Sequence, residues 1–162
     1  MNIYKNFLPN DLFKKLKDTL MSGYFPWYYN DFINHKSKNK NNFQFYFLFM
    51  KDSQYHCWGE WKDLIVLVLK NIKHKKMNRV KANLLTTTDK IIEHEFHVDQ
   101  KKGTTGILYL DNSNGYTKFK NGKIIKSEEN KYVEFNSNLK HTGSSCTNEK
   151  RRVVINFNYE LN

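Results

Sequence analysis

Two histidines and an aspartate give this sequence a set of residues that could hold a catalytic metal. His97 and Asp99 are separated by one residue, His141 follows further along the chain, and Arg151 and Arg152 come soon after it. Two imidazoles and one carboxylate are the ligands of the facial triad that binds non-haem Fe(II) and leaves coordination positions open. An arginine beside such a metal could bind an acidic co-substrate. The pattern makes the chain a candidate oxygenase.

Strand geometry explains how these residues could converge. Residues two apart on a β-strand point to the same face, so His97 and Asp99 can aim at one point, and closure of a barrel could bring His141 opposite them. His94 competes as first ligand, but on a strand it would face away from His97, which predicts a structural or supporting role. The other histidines fall in the N-terminal half and are predicted at the surface: His35, His56 and His74.

Strand alternation also separates the two arginines. Residues 151–159 are typical of a strand, so only one of the pair can face a barrel interior. Arg152 shares its face with Asn156 and Asn158, which suit a polar cavity, whereas Arg151 shares the other face with apolar residues. We therefore prefer Arg152 as the residue that binds a carboxylate through its planar fork. An exposed cation at a strand edge is the alternative.

Size and composition favour one globular domain spanning 1–162. The chain has 39% hydrophobic and 15% aromatic residues, enough for a core, and no apolar run long enough to span a bilayer. Its N-terminus lacks the layout of a signal peptide. Two cysteines are too few for a disulfide scaffold. We therefore expect isolated free thiols and a cytoplasmic protein, in bacterial or virus-infected host cytosol, with no membrane association.

The charge balance raises a second kind of partner. Lysine and arginine number 27 against 16 acidic residues, a net charge of +11, which can favour nucleic acid. The basic residues are spread along the chain and do not form one cluster. A nucleic-acid partner is therefore the less favoured interpretation.

The N-terminal part of the chain predicts helices and the remainder predicts strands. One helix should begin after an N-cap at Asn10 and end near Gly23, and a second should run over about 54–72. Residues 35–42 are polar and predict an exposed loop. Asn121-Gly122 indicates a hairpin. Strands are expected at 43–49, 79–86, 92–98, 104–110, 116–120, 123–127, 131–136 and 151–160.

So many short strands in the second half indicate a jelly roll. We expect an α+β fold in which 1–78 gives helical support and 79–162 forms a double-stranded β-helix, the cupin-like architecture.

The ordered motifs resemble the 2-oxoglutarate- and Fe(II)-dependent oxygenases, and among them the small prolyl-hydroxylase-like members of marine phages and bacteria. The similarity covers nearly the whole chain. The segments that carry it are Asn6–Pro9, Phe25–Tyr29, Lys81–Leu84, His97–Asp99, Ile107–Leu110, Gly115–Phe119, His141, Arg152 and Val154–Tyr159.

This resemblance implies a reaction and a set of roles. Fe(II) would be held by His97, Asp99 and His141. The keto-acid end of 2-oxoglutarate would chelate the iron, and its far carboxylate would bind Arg152. Tyr109 would assist that contact and, more loosely, so would Asn83. Molecular oxygen would be the second co-substrate and ascorbate a supporting reductant. Succinate and carbon dioxide would form as a peptide side chain, prolyl for example, or a small molecule is hydroxylated. The catalytic residues would be His97, Asp99, His141 and Arg152.

Two other functions remain open at this stage. One is a nucleic-acid-modifying oxygenase of the same class, the less favoured of the two oxygenase interpretations. The other is a non-catalytic cupin-like domain that binds a metal or a small anion. Residues 27–29, Trp-Tyr-Tyr, could line a pocket mouth, but packing of the helices on the sheet is the favoured explanation for them.

Overall fold

The computed structural model describes residues 1–33 and 42–161. None of the helices in these ranges is both long and apolar enough to cross a membrane. The described elements are β1 (Asn2–Tyr4), α1 (Asn10–Met21), β2 (Tyr28–Asn30), β3 (Gln44–Lys51), β4 (Gln54–Tyr55), α2 (Gly59–Leu69), β5 (Lys76–Thr86), β6 (Thr104–Tyr109), β7 (Tyr116–Phe119), β8 (Ile124–Lys126), β9 (Lys131–Asn136), β10 (His141–Gly143) and β11 (Arg151–Glu160).

The strands form two antiparallel sheets. The larger has the order β1-β9-β6-β11-β5-β3-β2, with β4 paired to the end of β3, and the smaller has the order β10-β7-β8. The chain between β5 and β6 runs beside β10 through two bridges, Glu93 with Ser144 and His97 with His141. The smaller sheet covers one face of the larger, and the helices cover the other. This is the predicted α+β double-stranded β-helix.

The central strand β11 shows how alternation divides the two faces of the larger sheet. Ile155 and Phe157 are fully buried in the core that the sheet shares with the helices. Arg152 and Asn156 point the other way, into a cavity beneath the smaller sheet. The strand is therefore apolar on one face and largely polar on the other, as its sequence pattern predicts.

The helices supply apolar stripes to one face of the sheet. In α1, Phe13, Leu16 and Leu20 recur at helical spacing and are buried. The corresponding buried residues of α2 are Leu64, Ile65, Val68 and Leu69. A separate apolar cluster joins the two sheets: Ile107, Tyr109, Phe119, Ile125, Val133, Phe135 and Val154. These two cores fix the sheets and leave the space near β5 and β11 for polar residues.

Local signals were accurate where turn chemistry decides the structure. Asn121-Gly122 joins β7 to β8, and Gly122 takes a φ of +89°, a conformation that favours glycine. The first helix ends just before Gly23, as predicted. Its predicted N-cap was wrong by one residue, because Pro9 occupies the capping position and Asn10 is already helical.

The N-terminal part contributes more strand than the sequence indicated. The second helix spans Gly59–Leu69 and not 54–72, because Gln54–Tyr55 pairs with the end of β3. Four strands before residue 78 join the larger sheet, so 1–78 is part of the sheet and not only its helical support. The predicted loop 35–42 lies outside the described residues except for Asn42.

Helix α2 offers a matched test of this packing. Ile65 is fully buried whereas Leu67, two residues later, is 42% exposed. We expect Ile65→Ala to lower the free energy of unfolding by roughly 2–5 kcal/mol through lost burial and a residual cavity. Leu67→Ala should change it by less than about 0.5 kcal/mol. Urea unfolding followed by circular dichroism measures both, and equal losses would contradict the packing of α2.

Candidate metal centre

A cavity of about 240 Å³ opens between the two sheets. One side is formed by alternate residues of β5 and β11, and the other by the chain before β6 and by Gly143 of β10. His97 and Asp99 line it, and His141 lies beside them. The predicted ligand residues, distant in sequence, thus meet at one cavity.

The three side chains form a possible metal site. One potential ligand atom from each lies within 4.8 Å of the others. Nε2 of His97 is 3.9 Å from Oδ1 of Asp99, and Nε2 of His141 is 3.8 Å from Oδ2. Neighbouring ligand atoms of an octahedral ion lie about 3 Å apart. A small movement of the side chains towards one another would therefore bring the three ligand atoms to that spacing. The His97 side chain is 44% exposed and has room for that movement.

Backbone pairing brings the two histidines together. The amide of His97 donates to the carbonyl of His141 at 2.9 Å, and the amide of His141 donates back at 3.0 Å. Directly opposed residues on antiparallel strands place their side chains on the same face. The two imidazole centroids accordingly lie 4.7 Å apart.

Each imidazole is oriented with Nε2 towards the aspartate. Nδ1 of His141 lies 2.9 Å from the carbonyl oxygen of Leu139, and Nδ1 of His97 lies 3.3 Å from that of Glu95. A proton on Nδ1 donated to a carbonyl leaves Nε2 with its lone pair, the arrangement common among metal-binding histidines. Burial lowers the pKa of His141 despite the opposing effect of Asp99, which favours the neutral ligand form.

Asp99 is held by donors from the larger sheet. Its Oδ2 accepts hydrogen bonds from Thr105 Oγ1 at 2.8 Å and from Asn158 Nδ2 at 3.1 Å, and its Oδ1 lies 3.3 Å from Nη2 of Arg79. Burial alone would raise the pKa of this carboxyl, but His141, Arg79 and Thr105 outweigh burial and leave it below its usual range. The carboxylate is therefore charged and fixed in position.

The predicted orientation of His94 was wrong, whereas its structural or supporting role stays a prediction. Both His94 and His97 line the cavity. Backbone bonds pair His94 with Gly143 and His97 with His141. The three residue steps from His94 to His97 therefore lie opposite only two residue steps, from Gly143 to His141. This one-residue slip is a bulge, and it shifts the alternation that an uninterrupted strand at 92–98 would have kept. Burial, Arg152 and His97 lower the pKa of His94 to about 4, so it is neutral at physiological pH.

Arg152 lies in the cavity wall with only 3% of its surface exposed. Its Nε donates to Ser127 Oγ at 2.9 Å, with longer contacts to Ser144 O and Thr117 Oγ1 at 3.4 Å. No carboxylate of the described residues forms an ion pair with it. A buried guanidinium without a directly paired carboxylate is costly unless an anion binds there.

The neighbouring Arg151 lies on the opposite face of β11. Its guanidinium contacts Met21 at the end of α1, 3.0 Å from the sulfur and 3.4 Å from the carbonyl oxygen. The alternation expected from the sequence therefore holds, and of the two arginines only Arg152 lines the cavity.

Tyr109 and Asn83 occupy different positions relative to the cavity. Tyr109 is fully buried and does not line it; the Arg152 guanidinium lies 5.7 Å from its ring centroid, and its hydroxyl donates to Thr117 at 2.8 Å. Asn83 lines the cavity, and its side-chain oxygen is buried without a hydrogen-bond partner. Two other cavity atoms share that condition: Asn156 Oδ1 and His94 Nε2. The cavity thus presents several polar atoms to a ligand.

The aromatic residues Trp27, Tyr28 and Tyr29 are not among those that line the cavity. Trp27 packs against the helix-side core and donates from Nε1 to the carbonyl of Leu20 at 3.2 Å. Tyr28 and Tyr29 are more than half exposed. Packing was thus the correct explanation for Trp27.

Both cysteines are buried free thiols, as expected. His56 is exposed and His74 half-buried, while His35 lies outside the described residues.

Sequence reasoning missed the residues that support the site. Thr105 and Arg79 hold Asp99, and Ser127 and Thr117 hold Arg152. Their residue types carry no distinctive motif. Only Asn158 was placed in the cavity from the sequence, by its shared face with Arg152, without its role towards Asp99.

No protein-family profile matches the sequence, and no curated protein matches it. Solved structures are nevertheless similar. An oxidoreductase of the 2OG-Fe(II) oxygenase family from Burkholderia pseudomallei matches with a TM-score of 0.69 at 8% identity, over 96% of this chain and 82% of that one. A Pseudomonas putida prolyl-4-hydroxylase matches with 0.61 at 11% identity, over 98% and 91%.

A third similar structure is a prolyl hydroxylase from Trichoplax adhaerens, solved with a peptide fragment of the hypoxia inducible factor oxygen degradation domain. Its TM-score is 0.62 at 13% identity, over 98% of this chain and 82% of that one. The chain has the fold of these oxygenases. At such low identity the similarity concerns the fold, and the chemistry must be argued from the residues themselves.

The contacts around Asp99 predict a supporting role for Asn158. Asn158→Ala should weaken Mn(II) binding about 10- to 100-fold, because the carboxylate loses a donor that orients it. Asn156→Ala is the matched control, since Asn156 lies on the same strand face but does not contact Asp99. Isothermal titration calorimetry measures the affinities, and melting without metal checks the fold. Equal affinities for the two variants would refute the role.

Proposed function

We propose that this chain is an Fe(II)- and 2-oxoglutarate-dependent dioxygenase that hydroxylates a peptide side chain, prolyl for example, or a small molecule. The observation that carries the proposal is a single cavity that joins a cluster of two histidines and one carboxylate to a buried, unpaired Arg152. The cluster suits non-haem iron, and the arginine suits the far carboxylate of 2-oxoglutarate. The fold shared with solved oxygenases supports the same conclusion.

The donor set fits an Fe(II) ion. His97, Asp99 and His141 would hold it through two imidazole nitrogens and a carboxylate oxygen, and three ligands leave positions for co-substrates. Bound Fe(II) with 2-oxoglutarate and O2 supplies oxidative decarboxylation to succinate and carbon dioxide coupled to hydroxylation, with ascorbate as a supporting reductant. The protein holds the ligands in place, because the carbonyl groups of Leu139 and Glu95 lie beside Nδ1 of the two imidazoles and leave Nε2 towards the aspartate.

The remaining cavity residues would position the co-substrate. Arg152 would pair with the far carboxylate of 2-oxoglutarate through two parallel hydrogen bonds. Tyr109, whose ring lies against the guanidinium, would support that orientation and would bind the carboxylate directly if its hydroxyl turned from Thr117. Asn83, which lines the cavity, would contact the co-substrate more loosely through its side-chain amide. In this way the co-substrate would satisfy groups that are otherwise costly to bury.

Two other functions would use the same cavity. A non-catalytic metal- or anion-binding domain would bind the same ligands and release no succinate. A nucleic-acid-modifying oxygenase would share the chemistry, and its oligonucleotide binding would weaken with salt.

We propose a cytosolic setting, consistent with two buried free thiols in a compartment that keeps cysteines reduced.

The reaction class can be tested without knowing the substrate. The protein supplied with Fe(II), 2-oxoglutarate and ascorbate should release succinate slowly even in the absence of substrate. His97→Ala and Asp99→Ala should each abolish iron binding and succinate release, because two remaining ligands hold the ion weakly. Succinate is measured by mass spectrometry, with circular dichroism to confirm folding. Turnover that persists in both folded variants would exclude this metal site.

The arginine pair supplies a matched test of co-substrate binding. Arg152→Met should raise the Kd for 2-oxoglutarate at least about 30-fold, because the buried carboxylate loses its charged partner. Arg151→Met, one residue earlier and on the opposite face, should leave that Kd unchanged. Calorimetry on Mn(II)-loaded protein measures both. A weaker affinity in Arg151→Met, with normal affinity in Arg152→Met, would reverse the assignment.

A further inference from the structure

The paired residues of β5 and β11 form a row of side chains along the cavity. The register pairs Arg79 with Asn158, Lys81 with Asn156, Asn83 with Val154 and Leu85 with Arg152. Neighbouring pairs on one strand face are separated by about 6.6 Å. The Arg79 pair supports Asp99 and the Arg152 pair lies at the opposite end, so Lys81 is a third cation between them.

The ammonium group of Lys81 has no acidic partner. No carboxylate of the described residues forms an ion pair with it, whereas Arg79 is paired with Asp99. Burial, with a further contribution from Arg79, lowers the pKa of Lys81 to about 8. A cation in such surroundings gains most from a bound anion.

The position of the ammonium separates it from the co-substrate arginine. Nζ of Lys81 lies 4.9 Å from the ring centroid of Tyr46, a residue of β3. In the sheet, β3 and β11 lie on opposite sides of β5. Lys81 therefore leans away from the strand that carries Arg152, towards the side of the cavity lined by Gln44 and Ile33.

We propose that Lys81 forms a second anion site in this cavity and that the compound oxidised there is a small molecule carrying a carboxylate, which pairs with Lys81. The inference rests on the proposed function and names the substrate class for the same site. The cavity volume of about 240 Å³ suits small acids. Arg152 takes the co-substrate, and Lys81 takes the substrate.

The test uses intact protein loaded with Mn(II) and saturating 2-oxoglutarate. Three acids are titrated against their amides: propionate against propionamide, butyrate against butyramide and L-proline against L-prolinamide. Thermal shift and calorimetry measure binding. At least one acid should bind about tenfold more tightly than its amide. Lys81→Met should remove that preference and Lys81→Arg should retain it. Lys76→Met, an exposed position on the same strand, is the matched control and should behave as wild type.

Several results would overturn the inference. These are equal binding of acid and amide, no binding of any of the acids, or a preference that survives in Lys81→Met. Loss of 2-oxoglutarate-induced stabilisation in Lys81→Met would also overturn it, because Lys81 would then belong to the co-substrate site. A failure of the proposed function is distinguishable, since 2-oxoglutarate would then not stabilise Mn(II)-loaded wild-type protein before any acid is added.

Discussion

The reciprocal backbone hydrogen bonds between His97 and His141 are the contact on which the rest of the site depends. Other backbone bonds, such as those from His94 to Gly143 and from Ser145 to Ile92, fix the earlier part of the connection between β5 and β6, and this pair fixes the part next to Asp99. Asp99, two residues later, is thereby held over the larger sheet, where Thr105 and Asn158 donate hydrogen bonds to its carboxylate. This backbone pair thus aligns the candidate metal ligands with the supporting donors of the larger sheet.

The larger sheet reconciles stability with a polar cavity by using its two faces differently. The face towards the helices buries residues such as Ile155 and Phe157 completely. The other face carries Arg152 and two asparagines whose side-chain oxygens, at Asn83 and Asn156, have no partners. Unsatisfied polar groups reduce stability, and the apolar face offsets that loss. The cavity can therefore keep groups whose best partners come from a ligand.

Sequence patterns predicted the elements whose cause is local. Alternation placed Arg152 in the cavity and Arg151 outside it, and the Asn121-Gly122 turn fixed a hairpin. Patterns failed where tertiary pairing decides the structure. Gln54–Tyr55 forms a strand because β3 offers it an edge, and Thr105 supports Asp99 only because the sheets bring them together. Neither the pairing of β4 with β3 nor the contact of Thr105 with Asp99 can be recognised from nearby residues in the sequence.

The one-residue slip between His94 and His97 has a consequence for how such a chain can diverge. Side chains alternate between the two faces of the strand on each side of the slip, but the two patterns are out of step by one residue. The extra residue therefore brings both imidazoles to the same cavity. A deletion there would restore an uninterrupted ladder and turn His94 outwards, with every side chain before it. The number of residues between His94 and His97 is therefore more tightly constrained than the types of Glu95 and Phe96, and a deletion there would be more damaging than a substitution of either residue.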